Sequence, residues 1–443
     1  MRTHMINGKK VVGIVAEYNP FHTGHRYMLD KIRREYHADY IVAAMSGDFV
    51  QRGEPAMFDK YERAEEALKN GADLIVQIPV MFSTSSAEDF AAGGVAVLRS
   101  LGFVDELVFG SESADLEKLE RMASVELAAG TKEYATFQNM VRDGVASGMS
   151  YPKARAEAMK AALLGDDETS FQALLQGVTA GKEVIDLRPN DVLGLEYLKA
   201  VHRQGDCFSV GCIRRNQELA SAHSIRETML KDPASLKGGY ATLDMLSDML
   251  SYRLLELCQL EERMREAPSL LTEYLDVSRE IADALRHQVR ERHSFSERIQ
   301  IIKSRNYTYS RISRALLHIL LDIQRKEHTA LRGAYFGELE ALPYVRVLGV
   351  RQTAKGLLSA IQTTVVASPA QYLHTLEELR RRETITSPEE LVQSIATEHA
   401  EQLFRADLYA ADLYHLIYRV EDAGKPGENE FTRHFLVVNE KAE

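Results

Sequence analysis

Two histidines, His22 and His25, stand three residues apart around Gly24 in the segment VVGIVAEYNPFHTGH (residues 11–25). The apolar, β-branched run from Val11 to Val15 ends in a polar turn containing Asn19 and Pro20, and RYMLDKIRREY follows with helix-like spacing. The pattern reads as strand, tight turn and helix start. Free backbone N–H groups and the positive end of the helix dipole favour an anion at such a place, above all a phosphate. Imidazole N–H groups from both histidines could reach the same phosphate chain. Gly24, lacking a Cβ, would let a nucleotide lie close to the main chain. A helical zinc site would use H-E-x-x-H spacing. That spacing is absent from the segment, and no metal ligand is expected.

Four more stretches place chemistry-bearing residues after apolar runs. SGDFVQRGEPA (46–56) supplies Asp48, Gln51 and Arg52 between two glycines, as an anion-orienting loop or as a plain helix-capping loop. FGSES (109–113) offers Gly110, where an adenine or ribose could pack on the backbone; a glycine there is also an ordinary turn. In PNDVLGLEYLKA (189–200), Asn190 is a fair N-cap whose amide could equally contact a nucleotide. CIRRNQELASAHSIRETM (212–229) carries Arg214 and Arg215 at a strand end, then Ser221, Ser224 and Arg226 at a helix start. Hydroxyls, backbone N–H groups and arginine together suit phosphates. The bland alternative is a serine-capped surface helix.

These residues need a scaffold that brings them to one edge. Val- and Ile-rich runs at 11–16, 40–46, 73–80 and 106–112 alternate with helix-like segments near 24–36, 60–70 and 86–100. Strands buried on both faces read this way. The alternation implies an α/β fold, a Rossmann-like doubly wound parallel sheet that binds ligands beyond the carboxyl ends of its strands. Residues 114–186 read as a helical insertion, 194–203 as helix and 207–214 as a fifth strand. From about 240 onward Leu, Glu, Arg and Ala recur with helical period; Leu316, Ile319, Leu320 and Ile323 share one face. The expected division is a nucleotide-binding domain over 1–235 followed by a mainly α-helical domain over 236–443. LPYVRVLGV (342–350) and FLVVNE (435–440) read as short extended pieces within the second.

The chain has 443 residues, 45% hydrophobic and 27% charged, with a formal net charge of −11, which argues against a general nucleic-acid coat protein. Within this acidic chain, residues 298–314 contain no acid and five cations, Arg298, Lys303, Arg305, Arg311 and Arg314, interleaved with Tyr307 and Tyr309. Cations track phosphates and aromatic rings stack on unpaired bases, so RNA contact is expected there rather than a merely solvated face. Three cysteines, Cys207, Cys212 and Cys258, suit reduced thiols in a cytoplasm. No apolar run is long enough for a membrane span and no targeting segment is read at the start.

The turn at 13–25 resembles the H-x-G-H signature of nucleotidylyl transferases. Together with SGDFVQRGEPA, ADLIVQIPV, SSAEDFA, FGSES, PNDVLGLEY, Ile213–Arg215, SAHSIRE and SRNYTYSRISRALLHILL, the chain resembles the bacterial tRNA(Met) cytidine acetate ligases. The resemblance implies activation of acetate by ATP, through acetyl-adenylate and pyrophosphate, and transfer of the acetyl group to N4 of the wobble cytidine of elongator tRNA(Met). It implies ATP contacts from Val15, Ala16, Glu17, Tyr18, Asn19, Pro20, Phe21, His22, Thr23, Gly24, His25, Arg26, Tyr27 and Met28. Gly110, Asn190, Arg214, Arg215, Ser224 and Arg226 would join them. His22, His25 and Arg215 would act in catalysis, with Mg²⁺ accompanying ATP. Lys303, Arg305, Tyr307, Arg311 and Arg314 would bind tRNA. No stable protein partner is implied. The stretch NQELASAHSIR departs from the resemblance, and His223 stands where a small residue is usual. Two rivals remain at this point: an adenylyl transferase acting on a phosphorylated cofactor precursor, and a non-catalytic RNA-binding protein. Acetate-dependent ATP–pyrophosphate exchange separates the first. An AMP or pyrophosphate product formed with tRNA and acetate excludes the second.

Overall fold

The structure, a computed structural model, describes residues 6, 8–129, 131–149, 151–163, 188–216, 218–232, 236, 239–264, 269–304, 307–337, 341–382, 388–418 and 429–439. The first half alternates as its hydrophobic pattern requires. Strand β1 (Val11–Ala16) leads to helix α1 (Thr23–Glu35), β2 (Tyr40–Ser46) and a small hairpin of β3 (Phe49–Val50) and β4 (Glu54–Pro55). Then come α2 (Lys60–Lys69), β5 (Leu74–Ile78), the short α3 (Val80–Ser83), α4 (Ala87–Leu101) and β6 (Glu106–Ser111). Helices α5 (Leu116–Leu127), α6 (Lys132–Ala146) and α7 (Tyr151–Leu163) form the described part of the expected insertion; residues 164–187 lie outside the described residues. Helix α8 (Pro189–Arg203), β7 (Ser209–Arg214) and α9 (Ala222–Met229) follow.

Strands β5, β2, β1, β6 and β7 lie side by side and parallel. Helices cover both faces. Val12, Ile14, Ile41, Met45 and Ile75 pack against Leu29 and Ile32 of α1 and Ala64 and Leu68 of α2. Val11, Val42, Leu74, Val76 and Leu107 face α4 and α8. Chain order reverses between β1 and β6, since β2 lies on one side of β1 and β6 on the other. The crevice beyond their carboxyl ends is where a doubly wound sheet takes its ligand.

The second half supplies α10 (Ser247–Met264), α11 (Arg279–Gln288), α12 (Phe295–Ile302), α13 (Tyr309–Leu320) and α14 (Arg325–Tyr335). Beyond them lie β8 (Tyr344–Arg351), β9 (Thr364–Val366), α15 (Pro369–Arg382), α16 (Pro388–Ile417) and β10 (Leu436–Val438). Here the structure corrects two expectations. Strand β8 joins the edge of the sheet antiparallel to β5, and β9 and β10 pair with β8, so the sheet is mixed and eight-stranded. Nor does the expected boundary at 235/236 separate two cores. One cluster of buried residues runs from Val76 and Phe82 through Leu316 and Ile319 to Leu403 and Phe404. The physical reason is the composition of β8: Val345, Val347, Leu348 and Val350 are all buried, which needs cover on both faces, and pairing also satisfies the open edge of β5.

The 49–55 hairpin locks the two halves together. Ser313 Oγ of α13 donates to the Gly53 carbonyl at 2.7 Å. Gly53 has φ +79°, and a Cβ there would sit 2.4 Å from the Arg314 backbone nitrogen. Gly53→Ala is therefore expected to destabilise the protein by more than about 1 kcal/mol, because the backbone conformation and the helix contact both exclude a side chain. Denaturant titration of both proteins checks this; equal midpoints would refute it.

Candidate active site

His22 is the N-cap residue of α1. Its extended backbone (φ −148°, ψ 175°) turns the ring back over the helix start, where Nδ1 accepts the Gly24 N–H at 3.0 Å. His25 answers at the third helical position: its Nδ1 accepts the His22 N–H at 3.3 Å. The two rings stack at 3.8 Å between centroids. Gly24 is also needed for a reason within the chain itself. A Cβ there would lie 2.8 Å from His22 Cε1, so the missing side chain makes room for the histidine's own ring. Tyr18 (φ 50°) and Phe21 wall the pair, with centroids 4.9 and 5.6 Å from His25.

This geometry fixes the protonation state. Each Nδ1 accepts a backbone N–H, so each neutral ring carries its proton on Nε2. Burial, and then the nearby Arg215 cation, bring His22 down to about 4. Burial, His22 and Arg215 together hold His25 well below its usual value. At neutral pH the pair is two uncharged donors. Both imidazoles are expected to keep the Nε2–H form across about pH 5 to 8, the range in which an unperturbed histidine changes charge. Nitrogen-15 chemical shifts measured over that range test this; a midpoint near about 6.5 for either ring would overturn it.

Arg215 follows β7 and Gly110 is the penultimate residue of β6; a Cβ on Gly110 would meet Arg215 Cγ at 3.4 Å and Met28 Sδ at 3.8 Å. Gly110, Arg215 and Met28 of α1 therefore converge on the crevice. Asn190 joins through Glu112, which bonds to both Asn190 and Arg215. Arg226 donates to the Asn19 carbonyl at 2.6 Å and pairs with Glu54 at 3.2 Å, tying α9 to the turn before α1. Asn19 is itself buried, its Oδ1 accepting the Met57 N–H at 2.8 Å. Glu17 accepts the Gln51 N–H at 2.9 Å, and burial raises its carboxyl above the ordinary value against that bond.

The remaining expected contacts have the following places in the structure. Val15 packs closely on Gly94 of α4, Tyr18 and Pro20 are buried, and Arg26, 64% exposed, lies 4.0 Å from Asp30. Val15 and Ala16 end β1, Thr23 is exposed, and Tyr27 lies under the Lys31 ammonium. Arg214 donates to the Ser113 carbonyl at 2.8 Å. Ser224 is exposed in a helix capped by Ser221 Oγ, which accepts the Ser224 N–H. Asp48 is buried against Lys60 at 2.9 Å, and Lys60 also pairs with Glu430 at 3.0 Å. Arg52 is exposed at the hairpin tip, close enough to Glu17 to oppose the rise of its carboxyl.

Of the expected RNA-contacting residues, Lys303 is exposed and Arg311 is exposed over the Tyr307 ring at 5.1 Å. Tyr307 bonds through its hydroxyl to Ser278 and Glu280. Arg305 lies outside the described residues. Arg314 is a correction: its side chain is 11% exposed and pairs with Asp276 at 3.0 Å. Arg298 is fully buried, on the carbonyls of Gln288 and Glu291. An acid-free run in sequence acquires partners from distant segments.

Sequence reasoning missed Arg63 and Glu112. Arg63, fully buried in α2, donates to the carbonyls of Glu17, Ser46 and Phe58 and contacts that of Gly47, clamping the loops after β1 and β2. Its only sequence signal is an arginine among apolar helix positions. A cavity of about 700 Å³ opens beside Leu127, His202 and Phe208, at the opposite end of β7 from Arg214 and away from this crevice.

The HIGH nucleotidyl transferase family model matches residues 9–429. A tRNA(Met) cytidine acetate ligase of Caldanaerobacter subterraneus subsp. tengcongensis is 31% identical, over 93% of this chain and 96% of that relative. A tRNA(Met) cytidine acetate ligase of Thermoanaerobacter sp. X514 is 30% identical, over 92% of this chain and 96% of the relative. The crystal structure of Thermotoga maritima TmcAL bound with alpha-thio ATP is similar with a TM-score of 0.77 and 25% identity, covering 97% of this chain and 100% of that one. By length of match and by identity, this chain belongs to the HIGH nucleotidyl transferase family and, within it, to the tRNA(Met) cytidine acetate ligases.

Proposed function

We propose that this protein uses ATP to activate acetate and then acetylates N4 of the wobble cytidine of elongator tRNA(Met). The observation that carries the reading is the stacked His22–His25 pair: two neutral Nε2–H donors at the start of α1, beside Arg215, at the switch point of the sheet. An acetate oxygen attacks the α-phosphorus of ATP, the bond to the β-phosphate bridge breaks, and pyrophosphate leaves. The two imidazole donors and the Arg215 guanidinium stabilise the charge that builds on the phosphoryl oxygens, while the α1 dipole favours the same anion. No covalent enzyme intermediate is needed.

The cytidine N4 then attacks the acetyl carbon, AMP departs and N4 loses a proton. The base must leave its stack to reach the crevice. Lys303 and Arg311, exposed on the helical half, carry cations suited to the flanking phosphates. Mg²⁺ travels with the triphosphate: among the described residues no three His, Cys, Asp or Glu side chains converge to hold one, so no step is assigned to it. No described helix is long and apolar enough to cross a membrane, and we place the enzyme in the cytoplasm with its tRNA.

The test incubates the protein with labelled acetate, ATP and total tRNA. Label is expected in N4-acetylcytidine of elongator tRNA(Met), with acetate-dependent ATP–pyrophosphate exchange in the absence of tRNA. Exchange that ignores acetate, or label in no nucleoside, would overturn the reading.

A further inference from the structure

Glu112 follows β6 directly, and donors from two other segments surround its carboxylate. Oε2 accepts the backbone N–H groups of Asn190 and Asp191, each at 3.1 Å. Oε1 accepts from Asn190 Nδ2 at 2.5 Å and lies 3.3 Å from Arg215 Nη1. The side chain is only 11% exposed.

Part of this is a helix cap, but an unusual one. The residue that should cap α8, Arg188, makes no side-chain cap bond. The cap comes instead from the neighbouring strand, across the crevice. Of the two side chains that the same carboxylate holds, Arg215 is a phosphate donor in the function proposed above, and Asn190 is an ATP contact that the family resemblance implies. An exposed arginine that must find its ligand from many rotamers loses conformational entropy on binding. An amide can present either its oxygen or its nitrogen to a ligand. Glu112 settles both matters at once. By taking Nδ2, it leaves Asn190 Oδ1 free as an acceptor. By pairing with Nη1, it tethers the guanidinium of the half-exposed Arg215, whose Cγ–Cδ stem lies over Gly110.

We propose that Glu112 is a positioning residue for acetate activation: its carboxylate orients Asn190 and Arg215 for the nucleotide. The inference rests on the function proposed above. One consequence is that the amino end of α8 is already neutralised by a carboxylate, so the phosphates belong at α1 and Arg215 and an uncharged part of the nucleotide belongs at Asn190.

The experiment measures α,β-methylene-ATP binding by calorimetry, alongside acetate-dependent exchange and tRNA affinity, in the full chain. Glu112→Gln keeps the shape but turns an NH₂ group toward donors. It is expected to weaken analogue binding and raise KM for ATP by about tenfold or more, the effect of losing one charged hydrogen bond, with tRNA affinity unchanged. A second variant separates orientation from capping. Arg188→Ser, added to Glu112→Gln, supplies a conventional cap to α8 from a residue already in extended conformation (φ −78°, ψ 163°). Melting temperature should recover while analogue affinity stays low. Recovery of both, or wild-type analogue binding in Glu112→Gln, would reduce Glu112 to a helix cap. Absence of acetate-dependent exchange in the wild type would instead defeat the proposed function, so the two failures are distinguishable.

Discussion

Alanine at either His22 or His25 is expected to abolish acetate-dependent pyrophosphate exchange. Each ring contributes one Nε2–H donor, because its Nδ1 is already committed to a backbone N–H. Removing one preorganised donor from a site of developing negative charge costs about 2.7–4 kcal/mol of barrier, or roughly 10²–10³ in rate. The stacked arrangement adds to this, since either ring supports the orientation of the other. His22 is also an N-cap, and an alanine there would cost about 0.5–2 kcal/mol of stability as well. His22→Asn separates the contributions. Asparagine is a favoured cap and can accept the Gly24 N–H, but it carries no imidazole donor. A folded, heat-resistant His22→Asn protein with exchange lowered as in His22→Ala is the expected outcome. Wild-type exchange in that variant would show that His22 is a cap and nothing more.

That dual use of the histidines explains why so much of the site could be read from the chain. The strand from Val11, the turn and α1 are set by residues a few positions apart, and alternation and capping are local signals. The same holds for α8 and for Gly110 at the end of β6. What escaped had its cause far away in sequence. Asp48 looked like a site acid because it follows a strand among glycines, but its charge is met by Lys60, which it shares with Glu430 from the far end of the chain. Arg314 looked like a phosphate ligand until Asp276 closed on it. Strand β8 read correctly as extended, yet nothing in its own composition names the strand it pairs with. Glu112 is the instructive case. Its strand and its neighbour Gly110 were both legible, but its role depends on α8 and the end of β7 arriving beside it, which only the topology decides.

The pairing of Arg314 with Asp276 sharpens the expectation for tRNA. Replacing Lys303 and Arg311 together by alanine should weaken tRNA binding and acetyl transfer, and should lower the salt slope of binding by about 1 per lost phosphate contact, so by about 2 for the pair. Both side chains are exposed, so folding should survive. Acetyl-adenylate formation without tRNA should remain at wild-type rate, because His22, His25 and Arg215 lie at the sheet edge. Arg314→Ala should behave differently. It strands Asp276, a carboxylate 21% exposed that Arg314 and His318 hold below its usual range against the opposing effect of burial. Breaking a fully buried pair costs about 3–5 kcal/mol, and this partly exposed one should cost less than that. It would also disturb α13 where that helix meets Gly53, so both half-reactions should fall together with the melting temperature. The contrast is the test. A double variant with unchanged tRNA affinity and salt slope would move the RNA path off the Lys303–Arg311 surface. An Arg314→Ala protein that melts normally and loses only tRNA binding would restore that arginine as a phosphate ligand and remove it from the seam between the two halves.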